Sequence, residues 1–191
     1  MNSKTNLRNF YKNARHVFIS ALSDVEREVI FDKIIDQISI LLKDKTYQSI
    51  SAYIAKEGEV SLLPFLKNQK AIGKTIILPY FEERDEILTF KEWDTVAPLE
   101  LGAFGTYQPS KLNTTIVPDI VILPMLAFDR KCHRLGYGKG HFDRTLGLLK
   151  KSYPVVTIGV AFSFQERDSL PIEDHDVSLD FIVTEKDIFK N

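Results

Sequence analysis

Cysteine is nearly absent from this chain of 191 residues, because Cys132 is the single one. One thiol cannot form an intramolecular disulfide, so the sequence is compatible with a reducing compartment. The histidines do not pair with one another or with the cysteine at the spacing of zinc ligands, which argues against a zinc site; they are His16, His133, His141 and His175. The adjacent Cys132 and His133 do not predict a nucleophile and its base, and a structural cysteine is favoured.

Long apolar runs and an excess of charge are also missing. No segment approaches the ~20 apolar residues of a membrane helix, and Met1–Phe10 lacks the apolar core of a signal peptide. A formal net charge of -1 creates no field that favours nucleic acid or an anionic membrane. We therefore expect a cytoplasmic protein with neither partner. The length predicts a single domain over residues 1–191, and 44% hydrophobic residues can supply its core.

Two helices are predicted at the start of the chain. Apolar residues recur at helical spacing from Lys4 to Ser20, and a basic face at steps of three and four residues runs beside them, which by itself predicts a solvated surface; that face comprises Lys4, Arg8, Lys12 and Arg15. Ser23-Asp24-Val25-Glu26 is a capping-box pattern, so a second helix should run from there to about Lys43.

The remainder of the chain alternates between strand and helix patterns. Strands are predicted at Ser49–Ala55, Lys74–Pro79, Glu86–Phe90, Asp119–Pro124, Val155–Phe162 and Asp180–Thr184, helices at Ser61–Lys70 and Asp143–Lys151, and a short tail at Lys186–Lys190. This alternation predicts an α/β fold whose sheet is mostly parallel, with helices on both faces and ligands beyond the carboxyl ends of the strands. Aromatic residues in the loop Trp93–Pro109 could line a ligand cleft or form a small cluster that holds the loop.

A basic glycine loop follows the strand that ends at Pro124. It reads Arg134-Leu-Gly-Tyr-Gly-Lys-Gly-His-Phe-Asp-Arg144, and glycine allows positive φ and a close approach of backbone N–H groups to an anion. The pattern G-x-G-x-G matches neither the dinucleotide fingerprint nor the P-loop, so the glycines alone are equally compatible with a tight turn. The preceding strand, the following helix and the basic side chains favour a phosphate site. Phosphate sites usually need Mg²⁺, for which Asp143 is well placed.

These motifs resemble the 5-formyltetrahydrofolate cyclo-ligase family, also called 5,10-methenyltetrahydrofolate synthetases. The similarity rests on Leu123-Pro-Met-Leu-Ala-Phe-Asp129 together with the glycine loop, and it is supported by Lys4-Thr-Asn-Leu-Arg8, Gly58-Glu59, Phe104-Gly105, Gln165, Leu170-Pro171 and His175-Asp176. The chain departs from the family where His141-Phe142 replaces two tyrosines, where Met125 and Cys132 replace glycines, where Tyr80 replaces a frequent arginine, and where Gln108 replaces a glutamate.

The resemblance implies a Rossmann-like three-layer α/β/α sandwich and an ATP-dependent reaction that uses Mg²⁺. The formyl oxygen of 5-formyltetrahydrofolate would attack the γ-phosphate of ATP, and ring closure by N10 would then release phosphate and 5,10-methenyltetrahydrofolate. A monomer is expected. Two alternatives stay open on the same scaffold, namely a non-enzymatic nucleotide-binding regulator and a kinase of another small metabolite.

The resemblance also implies the residues of the site. ATP would be bound by Lys4, Arg8, Arg134, Leu135, Gly136, Tyr137, Gly138, Lys139, Gly140, His141 and Phe142. The folate would contact Ile54, Glu59, Tyr137, Gly138, Lys139, Gly140 and His141. Catalysis is expected to depend on Arg134, Tyr137 and Lys139, because positive charge over the phosphates stabilises the charge that develops there. Asp143 and Asp180 would bind the metal.

Overall fold

The computed structural model describes residues 3–56, 58–82 and 87–191. Its helices are α1 (Lys4–Ser20), α2 (Asp24–Leu42), α3 (Leu63–Ala71) and α4 (His141–Ser152). Helix α1 has the predicted bounds, and Ser3 caps it by accepting the Asn6 N–H. The predicted capping box is present at the start of α2, where the Ser23 and Glu26 side chains each accept the other residue's backbone N–H.

Within the described part of the chain, seven strands form one mixed sheet that is mostly parallel. In chain order its strands are β1 (Ser49–Ser51), β2 (Thr75–Tyr80), β3 (Thr89–Glu92), β6 (Ile120–Pro124), β9 (Val156–Val160), β10 (Phe181–Val183) and β11 (Ile188–Lys190). Across the sheet the order is β11-β10-β9-β6-β1-β2-β3, and only the two edge pairs are antiparallel. Two small antiparallel pairs stand apart, formed by β4 (Glu100–Leu101) with β5 (Tyr107–Gln108) and β7 (Ala127–Phe128) with β8 (Arg134–Leu135).

Alternate residues of the strands point to two hydrophobic layers, as the period of two requires. Ile76 and Ile122 belong to the layer that contains residues of α2 and α3, whereas Ile77 and Val121 belong to the layer that contains Leu146 of α4. Helices therefore cover both faces of the sheet, which confirms the predicted α/β/α arrangement.

Several predicted bounds differ from those observed. Strand β1 ends at Ser51 because the chain then leaves the sheet, although we expected pairing as far as Ala55. The expected C-terminal tail contains β11, which pairs with β10. Strand β3 ends at Glu92 instead of Phe90; Glu86, its expected first residue, lies outside the described residues. The β7–β8 pair was not predicted, since strands of two residues carry no periodicity.

The strand order changes direction beside β1. From β1 the chain passes through α3 to β2, which pairs with β1 on one side. Strand β6 pairs with β1 on the other side, and from β6 the chain passes through α4 to β9, further out on that side. Ligands of open α/β sheets bind outside the carboxyl ends of the strands at such a switch point. Among the described residues, no helix has both the length and the apolar character needed to cross a membrane.

Candidate functional site

A cavity of about 290 Å³ opens at this switch point. Its walls include segments that follow three parallel strands: Ile54 and Glu59 after β1, Phe81 after β2 and Pro124 at the end of β6. The glycine loop completes the wall, with residues 134–140 before α4 and residues 141–144 in its first turn. Apart from Asp180, every residue for which the sequence predicted ATP, folate or metal binding lines this one cavity. The roles of those residues remain predictions.

The backbone of the glycine loop is held in a conformation that suits glycine. Gly138 has φ +97° and Gly140 has φ +70°, in the region that side chains rarely adopt. Gly140 precedes the first residue of α4 and provides no side-chain cap, and the first N–H groups of a helix have no partner within the helix. A helix N-terminus combines free N–H groups with a positive partial charge, which makes this edge suitable for phosphate.

Two arginines support the loop and supply charge. Arg8 donates from Nε to the Gly136 carbonyl at 3.0 Å, and its guanidinium lies so close to Gly138 that a Cβ there would be 2.9 Å from Arg8 Cζ. Arg134 pairs with Asp143 at 2.7 Å, and its side chain is almost entirely buried. Burial lowers the pKa of Arg134, against the effect of Asp143 and Asp176. Its buried Nε has no hydrogen-bond partner among the described residues, and it is thus a donor that an anion could satisfy.

An acidic group lies directly beside the cations of the cavity. Lys4 lies 2.6 Å from Asp176 and 3.2 Å from Glu173, and the Val177 N–H donates to Asp143 at 3.2 Å, which brings Asp143 beside the 173–176 segment. Although partial burial raises the pKa of Asp176, the hydrogen bonds from Lys4 and from the Glu173 backbone lower it below its usual value. Glu173, His175 and Asp176 offer ligand atoms within 4.8 Å of one another. Carboxylate oxygens of this kind suit Mg²⁺.

Asp180 lies elsewhere, and its predicted pairing with Asp143 at a metal site is wrong. Asp180 precedes β10, so it lies at the amino end of a parallel strand, whereas the cavity lies at the carboxyl ends. Its carboxylate accepts the backbone N–H and the hydroxyl of Thr157, each at 2.7 Å, and the Lys150 ammonium. Asp180 therefore joins β9 to β10 and serves the stability of the sheet.

A polar network that includes the buried Arg15 and Glu59 lies behind the wall formed by Ile54 and Glu59. The Tyr137 hydroxyl donates to Glu59 Oε1 and accepts a hydrogen bond of 2.8 Å from Arg15 Nη2. Arg15 Nη1 lies 3.7 Å from the same Glu59 oxygen, and the Lys56 N–H donates to Glu59 Oε2 at 2.8 Å. Burial and the neighbouring Glu59 charge raise the pKa of Tyr137, so this phenol stays protonated. The expectation of a solvated Arg15 is wrong, because the residue is only 7% exposed.

Aromatic rings form the remaining wall. The His141 ring lies 5.2 Å from the Phe104 ring and 5.8 Å from the Phe81 ring, measured between centroids. The Lys56 ammonium donates a hydrogen bond of 2.6 Å to the Phe104 carbonyl, which connects the loop that contains Phe104 to the segment after β1. This arrangement favours the first of the two interpretations of the loop, since Phe104 and Tyr107 both line the cavity.

The fold and the cavity define a class of protein, an α/β protein whose glycine loop and helix N-terminus suit the phosphates of a nucleotide while an aromatic and acidic wall suits a flat polar ring. The 5-formyltetrahydrofolate cyclo-ligase family model matches residues 1–185. The chain belongs to this family.

Named relatives agree with the family match. The chain is similar to the 5-formyltetrahydrofolate cyclo-ligase of Haemophilus influenzae, with 32% identity over 146 residues that cover 73% of this chain and 76% of the relative. The Mycoplasma pneumoniae enzyme of the same name is 29% identical, with coverage of 87% and 91%. Among solved structures, the 5,10-methenyltetrahydrofolate synthetase of Aquifex aeolicus superposes with a TM-score of 0.79 at 30% identity, covering 98% of this chain and 92% of that chain.

Proposed function

We propose that the protein converts 5-formyltetrahydrofolate to 5,10-methenyltetrahydrofolate with the consumption of ATP. The observation that carries this proposal is that one cavity is lined by the glycine loop, by a cationic side with Lys4, Arg8 and Arg134 and by a folate side with Ile54 and Glu59. A formyl oxygen and a γ-phosphate bound on the two sides would meet beside Lys139. Family membership supports the same activity.

The chemistry follows from the poor leaving ability of an amide oxygen. The formyl oxygen bonds to the γ-phosphorus as the bond to the bridging oxygen breaks, which releases ADP and leaves a phosphorylated iminium. N10 then attacks the formyl carbon and loses its proton, and the carbon–oxygen bond breaks to release phosphate. Such a reaction needs positioning and charge stabilisation more than covalent catalysis. Arg134, Lys139 and the first amides of α4 would supply that stabilisation.

Magnesium fits the acidic part of the cavity. Asp143 and Asp176 both line it and supply hard oxygen donors beside the proposed phosphate site, so we propose them as the protein ligands, with Glu173 next to them. Bound there, the ion would neutralise phosphate charge. The Lys4 ammonium lies 2.6 Å from Asp176, so a protein cation is beside one of the proposed ligands.

An absorbance assay tests the proposed activity. The purified protein is mixed with 5-formyltetrahydrofolate, ATP and Mg²⁺, and methenyl-folate formation is followed together with ADP release. We expect one ADP for each methenyl product, and no product without ATP. ADP release that depends on another metabolite would instead support the kinase alternative, and nucleotide binding without turnover would support the regulator.

Three further expectations remain proposals. The single domain over residues 1–191 predicts one cooperative unfolding transition. A monomer predicts a single species near 21.9 kDa in size-exclusion chromatography with light scattering. The cytoplasmic location and the absence of nucleic-acid binding are tested by fractionation and by a gel-shift experiment.

A further inference from the structure

Arg15 is a buried cation that does not line the main cavity. Its side chain is 8% exposed, and it borders a small void behind the folate-side wall together with Tyr53, Glu59 and Gln165. Glu59 borders both this void and the main cavity. Arg15 thus lies in a second layer, where it can influence a ligand only through the residues in front of it.

The contacts of Arg15 join two parts of the site that are distant in sequence. One nitrogen donates to the Tyr137 hydroxyl in the glycine loop, and another lies 3.7 Å from Glu59 in the turn after β1. The guanidinium also lies near the Tyr137 ring, at 5.8 Å from its centroid. Gly58 packs against this side chain: its φ of +79° favours glycine, and a Cβ there would be in ordinary contact with Arg15 Nε at 3.4 Å.

The fixed network leaves Glu59 able to accept more hydrogen bonds. An ionised carboxylate has about four acceptor positions, and the contacts above direct Tyr137 and Arg15 to Oε1 and the Lys56 N–H to Oε2. A buried carboxylate is costly unless it is paired, and a planar guanidinium also restricts its orientation. The remaining acceptor capacity is therefore presented to the cavity in one defined direction.

We propose that Arg15 is a positioning residue that orients Glu59, with Tyr137, for recognition of N–H donors on the pterin ring of the folate. The inference rests on the proposed function. Arg15 touches neither substrate in this scheme, and its effect passes through Glu59. Binding of the folate should therefore depend on Arg15 far more than binding of ATP does.

The test compares the variants Arg15→Met and Arg15→Lys with the wild-type protein. Methionine keeps apolar packing against Gly58, whereas lysine keeps the charge without the planar fork. Because hydrogen bonds to charged groups are among the strong ones, we expect Arg15→Met to raise KM for the folate roughly 10- to 100-fold. We expect an intermediate rise for Arg15→Lys and a KM for ATP within about twofold of the wild type. Arg27→Met, which changes a partly exposed arginine paired with Asp24 on α2, is the matched control.

A double-mutant cycle with Glu59→Gln separates positioning from general stabilisation. If Arg15 acts through Glu59, Arg15→Met should add less than about threefold to the folate KM in the Glu59→Gln background. Independent, multiplicative effects would overturn the inference, as would equal increases in KM for both substrates. Should Arg15→Met fail to fold, the same cycle is made with Arg15→Lys. A wild-type protein without methenyl-folate formation refutes the proposed function itself, whereas an active wild type with an unaffected Arg15→Met refutes the positioning role alone.

Discussion

At the scale of single residues, burial distinguishes Arg15 from the exposed Lys12 on the basic face of α1. The basic face of α1 was predicted from spacing alone, and spacing does not separate Arg15, which is buried, from Lys12, which is exposed. Arg15 is buried because Glu59 and Tyr137, 44 and 122 residues away by their numbering, compensate its charge and satisfy its donors. Such partners cannot be identified without the fold, and for this reason the sequence did not reveal Arg15.

Lys139 should matter for turnover. Lys139 lines the cavity between Gly138 and Gly140, and its ammonium lies 5.3 Å from the centroid of the Phe104 ring. Because removal of one preorganised electrostatic group costs ~10²-fold or more, we expect Lys139→Ala to lower kcat by that factor. The measurement is steady-state turnover at saturating ATP, with Lys151→Ala at the exposed end of α4 as the control. Unchanged turnover would exclude the catalytic role of Lys139.

The acidic group can be tested one carboxylate at a time. Asparagine at position 176 can still accept a hydrogen bond from Lys4, but it is a weaker ligand for Mg²⁺. Mutation of a residue that only hydrogen-bonds a metal ligand already lowers the affinity for the metal by about tenfold or more. Asp176→Asn should therefore raise the Mg²⁺ concentration for half-maximal activity by at least that factor. Asp180→Asn is the control, since Asp180 lies at the opposite edge of the sheet. A Mg²⁺ requirement that is the same in both variants would contradict the assignment.

At the scale of elements, local patterns predicted the long elements well and the short ones poorly. Helix α1 and the capping box of α2 depend on contacts within a few residues, so periodicity and cap chemistry were sufficient. Strand β11 depends on pairing with β10, and β1 is interrupted where the chain turns towards the cavity. The direction of the strands also decides the position of Asp180: a residue before a parallel strand lies at the edge opposite to the ligand, so the sequence pattern could have excluded it.

The glycine loop can be tested as an element by comparing two glycines. Gly138 and Gly73 both have positive φ, at +97° and +86°, so alanine should cost about 1 kcal/mol of stability at either position. Only at Gly138 would the new Cβ meet a neighbour, Arg8 Cζ at 2.9 Å. We therefore expect Gly138→Ala to raise KM for ATP roughly tenfold or more through displacement of Arg8 or the loop. Gly73→Ala should lower the melting temperature with unchanged kinetics. Equal kinetics for the two variants would show that the approach of Arg8 to the loop is unimportant.

At the scale of the whole molecule, the side of the sheet where the parallel strands end, called the carboxyl edge, and the side where they begin, called the amino edge, have different roles. The carboxyl edge carries the cavity, and the amino edge carries aspartates that join neighbouring strands. Asp119, before β6, accepts the backbone N–H groups of Gln48 and Ser49, each at 2.8 Å. Asp180 joins β9 to β10 in the same way. These aspartates do not line the cavity, and their hydrogen bonds stabilise the sheet.

This division predicts how stability depends on pH. Burial raises the pKa of Asp119, but hydrogen bonds from Gln48 and Ser49 lower it below the usual value. Burial likewise raises the pKa of Asp180, and hydrogen bonds from Thr157 and Lys150 lower it below the usual value. A carboxyl group with a lowered pKa in the folded state stabilises the protein above its unfolded pKa of about 3.9, and the contribution is lost as the pH falls through the folded value. The contribution of Asp119 and Asp180 to the free energy of unfolding should thus be fully present at neutral pH and decline below about pH 4.

The variants Asp119→Asn and Asp180→Asn test this assignment by thermal unfolding at pH 7 and pH 3. Each should lower the melting temperature at pH 7 by a few degrees, about the change expected for 1 kcal/mol in a protein of this size. Because asparagine does not titrate, the difference in melting temperature between the two pH values should be smaller in each variant than in the wild type. Asp32→Asn, at an exposed position on α2, is the control and should keep the wild-type difference. If the Asp119 and Asp180 variants also keep that difference, the acid sensitivity of the fold originates in other carboxylates, and the amino edge is not where protonation weakens the sheet.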